Sequence, residues 1–172
     1  IVINEINYNS NDDHESGDWI ELYNPGEMGI DISNWVMKDD NDQHSFIIPD
    51  ETIINSDEYI IIAQDLGLFY DNYPNDIPVI GPFDFGLGGG GDQVRIYDDL
   101  EVLMDSVKYD DDDPWPIEAD GEGPTLELIN PTYDNSLPES WTSSQQYGSP
   151  ANQNTNFLDP DNQDRVVIPQ EH

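Results

Sequence analysis

Four short stretches of the sequence are dense in aspartate and asparagine, and they offer the clearest chemistry. They are residues 9–15, 39–42, 110–113 and 159–164. Carboxylate and amide oxygens at alternate positions of a flexible loop are the ligands that Ca²⁺ selects, because this ion takes about six to eight oxygen ligands. The pattern predicts at least one calcium site, with candidate ligands at Asp39, Asp40, Asp42, Asp110, Asp112, Asp159, Asp161 and Asp164.

The alternative explanation for these stretches is a solvated acidic surface, as in a salt-adapted protein. Of 172 residues, 38 are Asp or Glu and only 4 are Lys or Arg, which leaves a formal net charge of −34. The low Lys content favours this alternative, whereas abundant Ile and Asn with little Ala argue against it. The stretch 159–164 also lacks the Gly and the distal Glu of an EF-hand. We favour the calcium interpretation.

The same charge excludes several classes of partner. Nucleic acids and anionic membranes bind proteins through Lys and Arg, so we expect neither as a partner. The longest apolar run, Tyr59–Ala63, is far below the about 18 residues of a membrane span. The absence of Cys removes disulfides, thiolate metal sites and a cysteine nucleophile.

No motif predicts catalysis. Gly86–Gly91 satisfies G-x-G-x-x-G, but a strand-like run follows it where a dinucleotide site needs a helix. Neither His14 nor His44 accompanies a Gly-x-Ser-x-Gly nucleophile motif. Two carboxylates could act as in a glycosidase, but among so many acids such a pair carries almost no information. We therefore expect no enzyme; a calcium-dependent hydrolase would need a deep cleft that holds acids of perturbed pKa.

Four tryptophans raise the alternative of a calcium-dependent carbohydrate-binding module. Trp19 and Trp35 lie within apolar runs and are expected in the core. Trp115 lies between two prolines after four aspartates, so it is the better candidate for an exposed sugar-stacking ring, although we favour the interpretation as a loop aromatic that caps the core.

Short β-prone runs separated by Gly, Pro, Asn and Asp must position these residues. Such spacing is typical of an all-β sandwich or barrel. Leu66, Phe69 and Tyr70, three and four residues apart, predict one helical turn at residues 65–72. The strand-like runs are Ile1–Tyr8, Asp18–Tyr23, Ile30–Met37, His44–Ile48, Glu58–Gln64, Gln93–Tyr97, Val102–Tyr109 and Thr125–Ile129.

The composition changes near Asn154, which predicts one domain over residues 1–154 and an extension over residues 155–172. The extension is polar except for one β-prone run, Arg165, Val166, Val167 and Ile168. Such a run can add as a strand to an open sheet edge, and on a neighbouring copy this addition builds a fibre. These four residues are the predicted partner-binding residues.

Several segments, in order, resemble the lamin tail domain. The resemblance covers residues 1 to about 152 and rests on the following segments: Ile3–Ile6, Gly17–Asn24, Ile30–Asp39, Phe46–Pro49, Tyr59–Ile62, Leu87–Asp98, Asp105–Tyr109, Trp115–Pro116, Asp120–Pro131, Trp141 and Gly148–Asn152.

The resemblance implies an immunoglobulin-like β-sandwich without catalytic residues. Eukaryotic members are the globular tails of nuclear filament proteins, and microbial relatives are typically extracellular. The segments Asp120–Pro131 and Gly148–Asn152 look like the microbial branch. We therefore expect a secreted or surface-exposed structural or adhesive module in which Trp19, Glu21, Trp35 and Asp92 define the fold. Its expected partners are proteins, including copies of itself, or an extracellular glycan.

Overall fold

A computed structural model describes residues 1–159 of the chain. Most of the regular structure in these residues is β-strand, with one short α-helix. The elements are β1 (Val2–Asn7), β2 (Trp19–Tyr23), β3 (Ile30–Asp31), β4 (Val36–Lys38), β5 (Phe46–Ile47), β6 (Ile53–Ile54), β7 (Tyr59–Ala63), α1 (Leu66–Asn72), β8 (Val79–Ile80), β9 (Asp92–Tyr97), β10 (Leu103–Tyr109), β11 (Leu126–Leu128) and β12 (Trp141–Ser143).

The strands form two main sheets that pack face to face. The larger sheet has the order β12-β11-β1-β2-β7-β8, and the smaller has the order β10-β9-β4-β5. β3 and β6 form a separate two-stranded ribbon. All of these pairs are antiparallel except β7 with β8. This arrangement confirms the all-β, immunoglobulin-like sandwich expected from the sequence.

The main core lies between the two sheets, where alternate residues of each strand point inward. Ile20 and Leu22 of β2 and Ile60 and Ile62 of β7 belong to it. The opposite face of β2 and β7 is buried as well, because α1 covers it and places Phe69 against Trp19 with ring centroids 5.8 Å apart. Burial on both faces explains why β7 is apolar throughout.

The helix occurs where the spacing of its apolar residues predicts it. It begins after Asp65, whose carboxylate accepts hydrogen bonds from the backbone N–H groups of Gly67 and Leu68 at 2.8 and 3.0 Å. These bonds satisfy amide groups that have no partner within the helix.

Two features of the strands differ from the sequence prediction. The predicted run Ile30–Met37 is divided into β3 and β4, because Asn34 adopts a left-handed φ of 64° and reverses the chain between them. The short strands β6, β8 and β12 were not predicted, since two or three residues are too few for a periodic pattern.

Candidate functional site

The first acidic loop, residues 39–42, follows β4 and is neutralised by neighbouring side chains. His44 Nδ1 lies 2.6 Å from Asp39 Oδ2. Arg95, on the adjacent strand β9, donates from Nη1 to Asp42 Oδ1 at 2.8 Å and from Nε to the carbonyl oxygen of Asp39 at 2.8 Å. The loop therefore has a cationic partner within the protein itself.

Asp92 brings a further carboxylate to this loop. Ligand atoms of Asp39, Asp40 and Asp92 lie within 4.8 Å of one another. However, Asp92 Oδ1 accepts hydrogen bonds from the backbone N–H groups of Asp40 and Gln93, and Oδ2 accepts one from Gly88 at 2.7 Å. Because backbone donors already satisfy this carboxylate, Asp92 acts as a brace between loops, in agreement with the fold-defining role expected of it.

The second acidic loop, residues 110–113, follows β10 and has a different environment. Ligand atoms of Asp110, Asp111 and Asp112 again lie within 4.8 Å of one another. Neither of the two ion pairs found among residues 1–159 involves this loop. A backbone hydrogen bond lowers the pKa of Asp111, but desolvation, the Asp110 carboxyl and the charge of Asp112 outweigh it, so the pKa is raised.

Two further segments converge on the second acidic loop. Asn9 Nδ2 donates to Asp120 Oδ1 at 2.7 Å, and Asn11 Nδ2 donates to the carbonyl oxygen of Gly121 at 3.1 Å. Burial raises the pKa of Tyr8, and the charges of Asp120, Asp111 and Asp110 raise it further. The end of β1, the second acidic loop and the turn at residues 120–121 therefore lie together at one end of the sandwich.

Tyr8 has an unusual hydroxyl group. Its ring stacks on Tyr109 with centroids 4.5 Å apart, and only 2% of the residue is exposed. The Tyr109 hydroxyl donates to the carbonyl oxygen of Gly88 at 3.0 Å, whereas the Tyr8 hydroxyl has no hydrogen-bond partner among residues 1–159. A buried hydroxyl without a partner is unfavourable and calls for an explanation.

Three buried glutamates form a second acidic arrangement, which the sequence analysis missed. Glu5 on β1 lies directly opposite Glu21 on β2 and Glu127 on β11, and all three are fully buried. We call them the glutamate row. The basic residues Lys38, Arg95 and Lys108 lie on the other main sheet. Glu21 and Glu127 each stand between two apolar residues of a strand, and Glu5 stands between Asn4 and Ile6; a single acid within an otherwise β-prone run is the signal that could have revealed the row.

Residues 148–155, the covering segment, lie over the glutamate row and donate hydrogen bonds to it. Ser149 Oγ donates to Glu127 at 2.6 Å, and its N–H donates to Glu5 at 3.1 Å. The N–H of Ala151 donates to Glu21 at 2.6 Å, and the hydroxyl of Thr155 donates to Glu127 at 2.7 Å. Donors of the chain itself thus satisfy these acids, and among residues 1–159 none of the three forms an ion pair.

Close approach of the covering segment requires glycine at position 148. Gly148 has a φ of +88°, a conformation that other residues rarely adopt. A Cβ atom there would also collide with the carboxylate of Glu5 and crowd Thr125.

Burial raises the pKa values of two members of the row. Burial raises the pKa of Glu5 well above its usual range, and the charges of Glu21 and Glu127 add to the effect. Burial raises the pKa of Glu21 to about 8, although hydrogen bonds from Asn4 and Ala151 oppose the shift. Folding therefore favours the protonated forms of Glu5 and Glu21.

Comparison with protein families gives a match to the lamin tail domain over residues 1–111. The chain belongs to the lamin tail domain family. Lamin tail domains are structural immunoglobulin-like domains and are not known as enzymes. A search of the curated proteins finds no match. Among residues 1–159, none of the helices has the length and apolar character needed to cross a bilayer.

Four segments of the proposed lamin-tail resemblance lie beyond the matched residues, and two of them, Asp120–Pro131 and Gly148–Asn152, are joined by the structure to the same sandwich. Asp120–Pro131 contains β11, which pairs with β1. Gly148–Asn152 forms part of the covering segment. In this lamin tail domain both segments complete the glutamate row.

The tryptophans of this lamin tail domain lie in its interior. Trp115 is only 7% exposed and packs near Trp141 with centroids 6.2 Å apart. The interpretation of Trp115 as a loop aromatic that caps the core is therefore confirmed, and the carbohydrate-binding alternative loses the exposed ring on which it rested. Trp19 and Trp35 are buried, as predicted.

Some of the predicted calcium ligands and all of the predicted partner-binding residues lie outside the residues that the structure describes. These residues are Asp161, Asp164, Arg165, Val166, Val167 and Ile168. Asp159 is the last residue that the structure describes. Immediately before it, Leu158 donates its N–H to the carbonyl oxygen of Ile129 at 3.0 Å, so the described part of the extension remains attached to the sandwich.

Proposed function

We propose that this lamin tail domain is a non-catalytic extracellular structural module that Ca²⁺ stabilises and that joins neighbouring copies through its C-terminal tail. The extracellular location is inferred from the resemblance to microbial members of the family. Extracellular modules bind Ca²⁺ with dissociation constants of about 10⁻⁴–10⁻³ M, a range that exposed acidic loops suit.

The burial and hydrogen bonding of the acids with raised pKa values support a non-catalytic role. Glu5 and Glu21 have raised pKa values, as catalytic acids often do. However, both are fully buried, and every carboxylate oxygen of the glutamate row accepts a hydrogen bond from the protein itself. A substrate has no access to these groups.

The exposed apolar start of β10 is the observation that carries the assembly role. β10 is an outer strand of the smaller sheet among residues 1–159. Leu103 and Met104, at its beginning, are 50% and 45% exposed, and Leu100 and Val102 just before them are exposed as well. An outer strand with exposed apolar side chains is a template for a further strand.

The proposed occupant of this edge is the run Arg165–Ile168 of a second copy. Its three β-branched residues suit a strand. Its arginine complements Asp98, Asp99 and Glu101, which lie in the turn that leads into β10. Residues 160–172, if extended, reach about 40 Å, which is enough to cross to a neighbouring molecule.

The assembly role is tested by light scattering on the full chain and two variants. We expect oligomers from the full chain and monomers after deletion of residues 160–172. The double substitution Leu103→Glu/Met104→Glu should have the same effect, while Met28→Glu, at an exposed position away from β10, serves as the control. Oligomers that survive the deletion, or a full chain that is monomeric, would contradict this role.

Calcium stabilisation is tested by thermal unfolding with EDTA, Ca²⁺ and NaCl varied separately. A ligand that binds only the folded state raises the melting temperature with its concentration. We expect stabilisation at micromolar to millimolar Ca²⁺. A response to molar NaCl alone would indicate general screening of charge and would contradict the calcium role.

A further inference from the structure

We propose that a Ca²⁺ ion binds the second acidic loop through Asp110, Asp111 and Asp112, with the Tyr8 hydroxyl hydrogen-bonded to a water of the ion. The inference rests on the proposed calcium stabilisation and assigns it to one of the four acidic stretches.

The charge distribution at this loop favours a cation. The three carboxylates offer ligand atoms within 4.8 Å of one another. Asp110 and Asp112 are exposed and Asp111 is partly exposed, so an ion can reach them from solvent. Repulsion among them is not relieved by any ion pair among residues 1–159, in contrast to the first acidic loop.

The Tyr8 hydroxyl is an independent observation at the same place. Only 2% of Tyr8 is exposed, and its hydroxyl lacks a hydrogen-bond partner among residues 1–159. Its ring lies on Tyr109, the residue that immediately precedes Asp110. A water held by the ion supplies the missing hydrogen bond once the exposed aspartates of the loop rearrange around the ion, because the hydroxyl oxygen is itself closed to solvent.

The donor set selects among metals. Every candidate ligand is an oxygen, which favours Ca²⁺ or Mg²⁺ over zinc and other transition metals. Mg²⁺ demands near-ideal octahedral geometry, whereas Ca²⁺ accepts the irregular arrangement that consecutive residues of one loop provide. Asp120, on the facing turn, supplies a further carboxylate for the ion's water shell.

The position of the site explains why an ion there stabilises the fold. Tyr8 directly follows β1 of the larger sheet, and Asp110 directly follows β10 of the smaller sheet. An ion held by the loop and bonded through water to Tyr8 connects the ends of two strands from opposite sheets. The connection exists only in the folded protein, so ion binding favours the folded state.

The inference is tested by calorimetric titration of Ca²⁺ into the full chain after removal of metals with EDTA. In Asp110→Asn/Asp112→Asn, Ca²⁺ affinity should fall at least tenfold. The matched control Asp40→Asn/Asp42→Asn removes the same number of charges from exposed positions of the first acidic loop, and its affinity should be unchanged. Circular dichroism verifies that each variant is folded.

The variant Tyr8→Phe keeps the stacked ring and removes only the hydroxyl. We expect several-fold weaker Ca²⁺ binding, an effect that a purely structural ring would not produce. If Ca²⁺ affinity falls in Asp40→Asn/Asp42→Asn but is kept in Asp110→Asn/Asp112→Asn, the site at the second acidic loop is overturned. The proposed calcium stabilisation of the protein then still stands. Absence of any Ca²⁺ binding to the unsubstituted chain overturns both.

Discussion

The two acidic loops that follow β4 and β10 look alike in the sequence but differ in what surrounds them. In the first loop, Arg95 contacts Asp42 and the backbone of Asp39, and His44 contacts the Asp39 carboxylate. In the second loop, no ion pair among residues 1–159 involves the aspartates, and a hydroxyl without a partner lies beside them. This difference is the reason why we propose the metal site at the second loop, where no basic side chain compensates the charge of the aspartates.

The glutamate row extends this comparison to the interior. Its acids, like those of the first loop, have partners from the protein itself, but the partners are neutral N–H and O–H donors. The raised pKa values of Glu5 and Glu21 further reduce the charge of the row, because the protonated form of a carboxyl group carries no charge.

The largest effect is expected for Glu21→Ala. The substitution leaves the buried side chain of Asn4 and the N–H of Ala151 without their acceptor and opens a cavity. We expect the free energy of unfolding to fall by about 3 kcal/mol or more in urea denaturation. Glu21→Gln keeps the shape and one acceptor and should lose much less; equal losses in the two variants would contradict the role assigned to these hydrogen bonds.

The second-largest expected effect is the dependence of the free energy of unfolding on pH that titration of Glu21 produces. The pKa of Glu21 is about 8 in the folded protein and 4.5 in its ordinary state, so the folded state holds its proton more strongly. This contribution to stability is complete below pH 4.5 and is lost as pH rises through 8. We expect the free energy of unfolding to decrease by about 3 kcal/mol from pH 5 to pH 8. Glu21→Gln should reduce this slope, and an unchanged slope would speak against titration of the row.

Arg95→Met removes the cation from the first acidic loop while keeping a side chain of similar length. The Asp42 partner is exposed, so most of the loss should come from the hydrogen bonds to the Asp39 carbonyl oxygen. We expect a decrease of about 1–2 kcal/mol in EDTA. We also expect stronger stabilisation by Ca²⁺ than in the unsubstituted chain, because the Asp42 carboxylate then has no ion-pair partner and only Lys38 and His44 remain near the loop. A Ca²⁺ response equal to that of the unsubstituted chain would refute the comparison.

The smallest effects should have opposite signs in the two loops. In EDTA, Asp42→Asn removes a partner of Arg95 and should lower stability, whereas Asp111→Asn relieves repulsion and should raise it. Each change should be small, as is usual for exposed charges. Chemical denaturation at low ionic strength measures both. Changes of the same sign would show that the loops are equivalent.

The elements with strong periodicity could be predicted from the sequence. The apolar run of β7 and the spacing of Leu66, Phe69 and Tyr70 both predict the observed structure, because residues within the element determine it. The glutamate row could not be recognised in this way. Its burial depends on residues 148–155, which are remote in the sequence from β1 and β2.

The candidate site was predicted only in part. Asp110 and Asp112 were named as ligands, and the structure places both in one cluster with Asp111. The difference between the loops could not be predicted, since it depends on the pairing that sets Lys38 of β4 opposite Arg95 of β9. The four aspartates before Trp115 left an exposed ring as an alternative, whereas the ring packs toward Trp141, as the favoured core-capping interpretation requires.

The most direct test of the central claim, that the second acidic loop carries the cation, is terbium luminescence. Tb³⁺ replaces Ca²⁺ in oxygen sites and emits when a nearby aromatic ring is excited. The backbone N–H of Trp115 donates to the carbonyl oxygen of Asp112 at 3.0 Å, and Tyr8 lies beside the same loop, so both residues are near the proposed ion. We predict emission that Ca²⁺ competes away and that Asp110→Asn/Asp112→Asn abolishes, while Asp40→Asn/Asp42→Asn retains it. Emission that persists unchanged in Asp110→Asn/Asp112→Asn would contradict the claim.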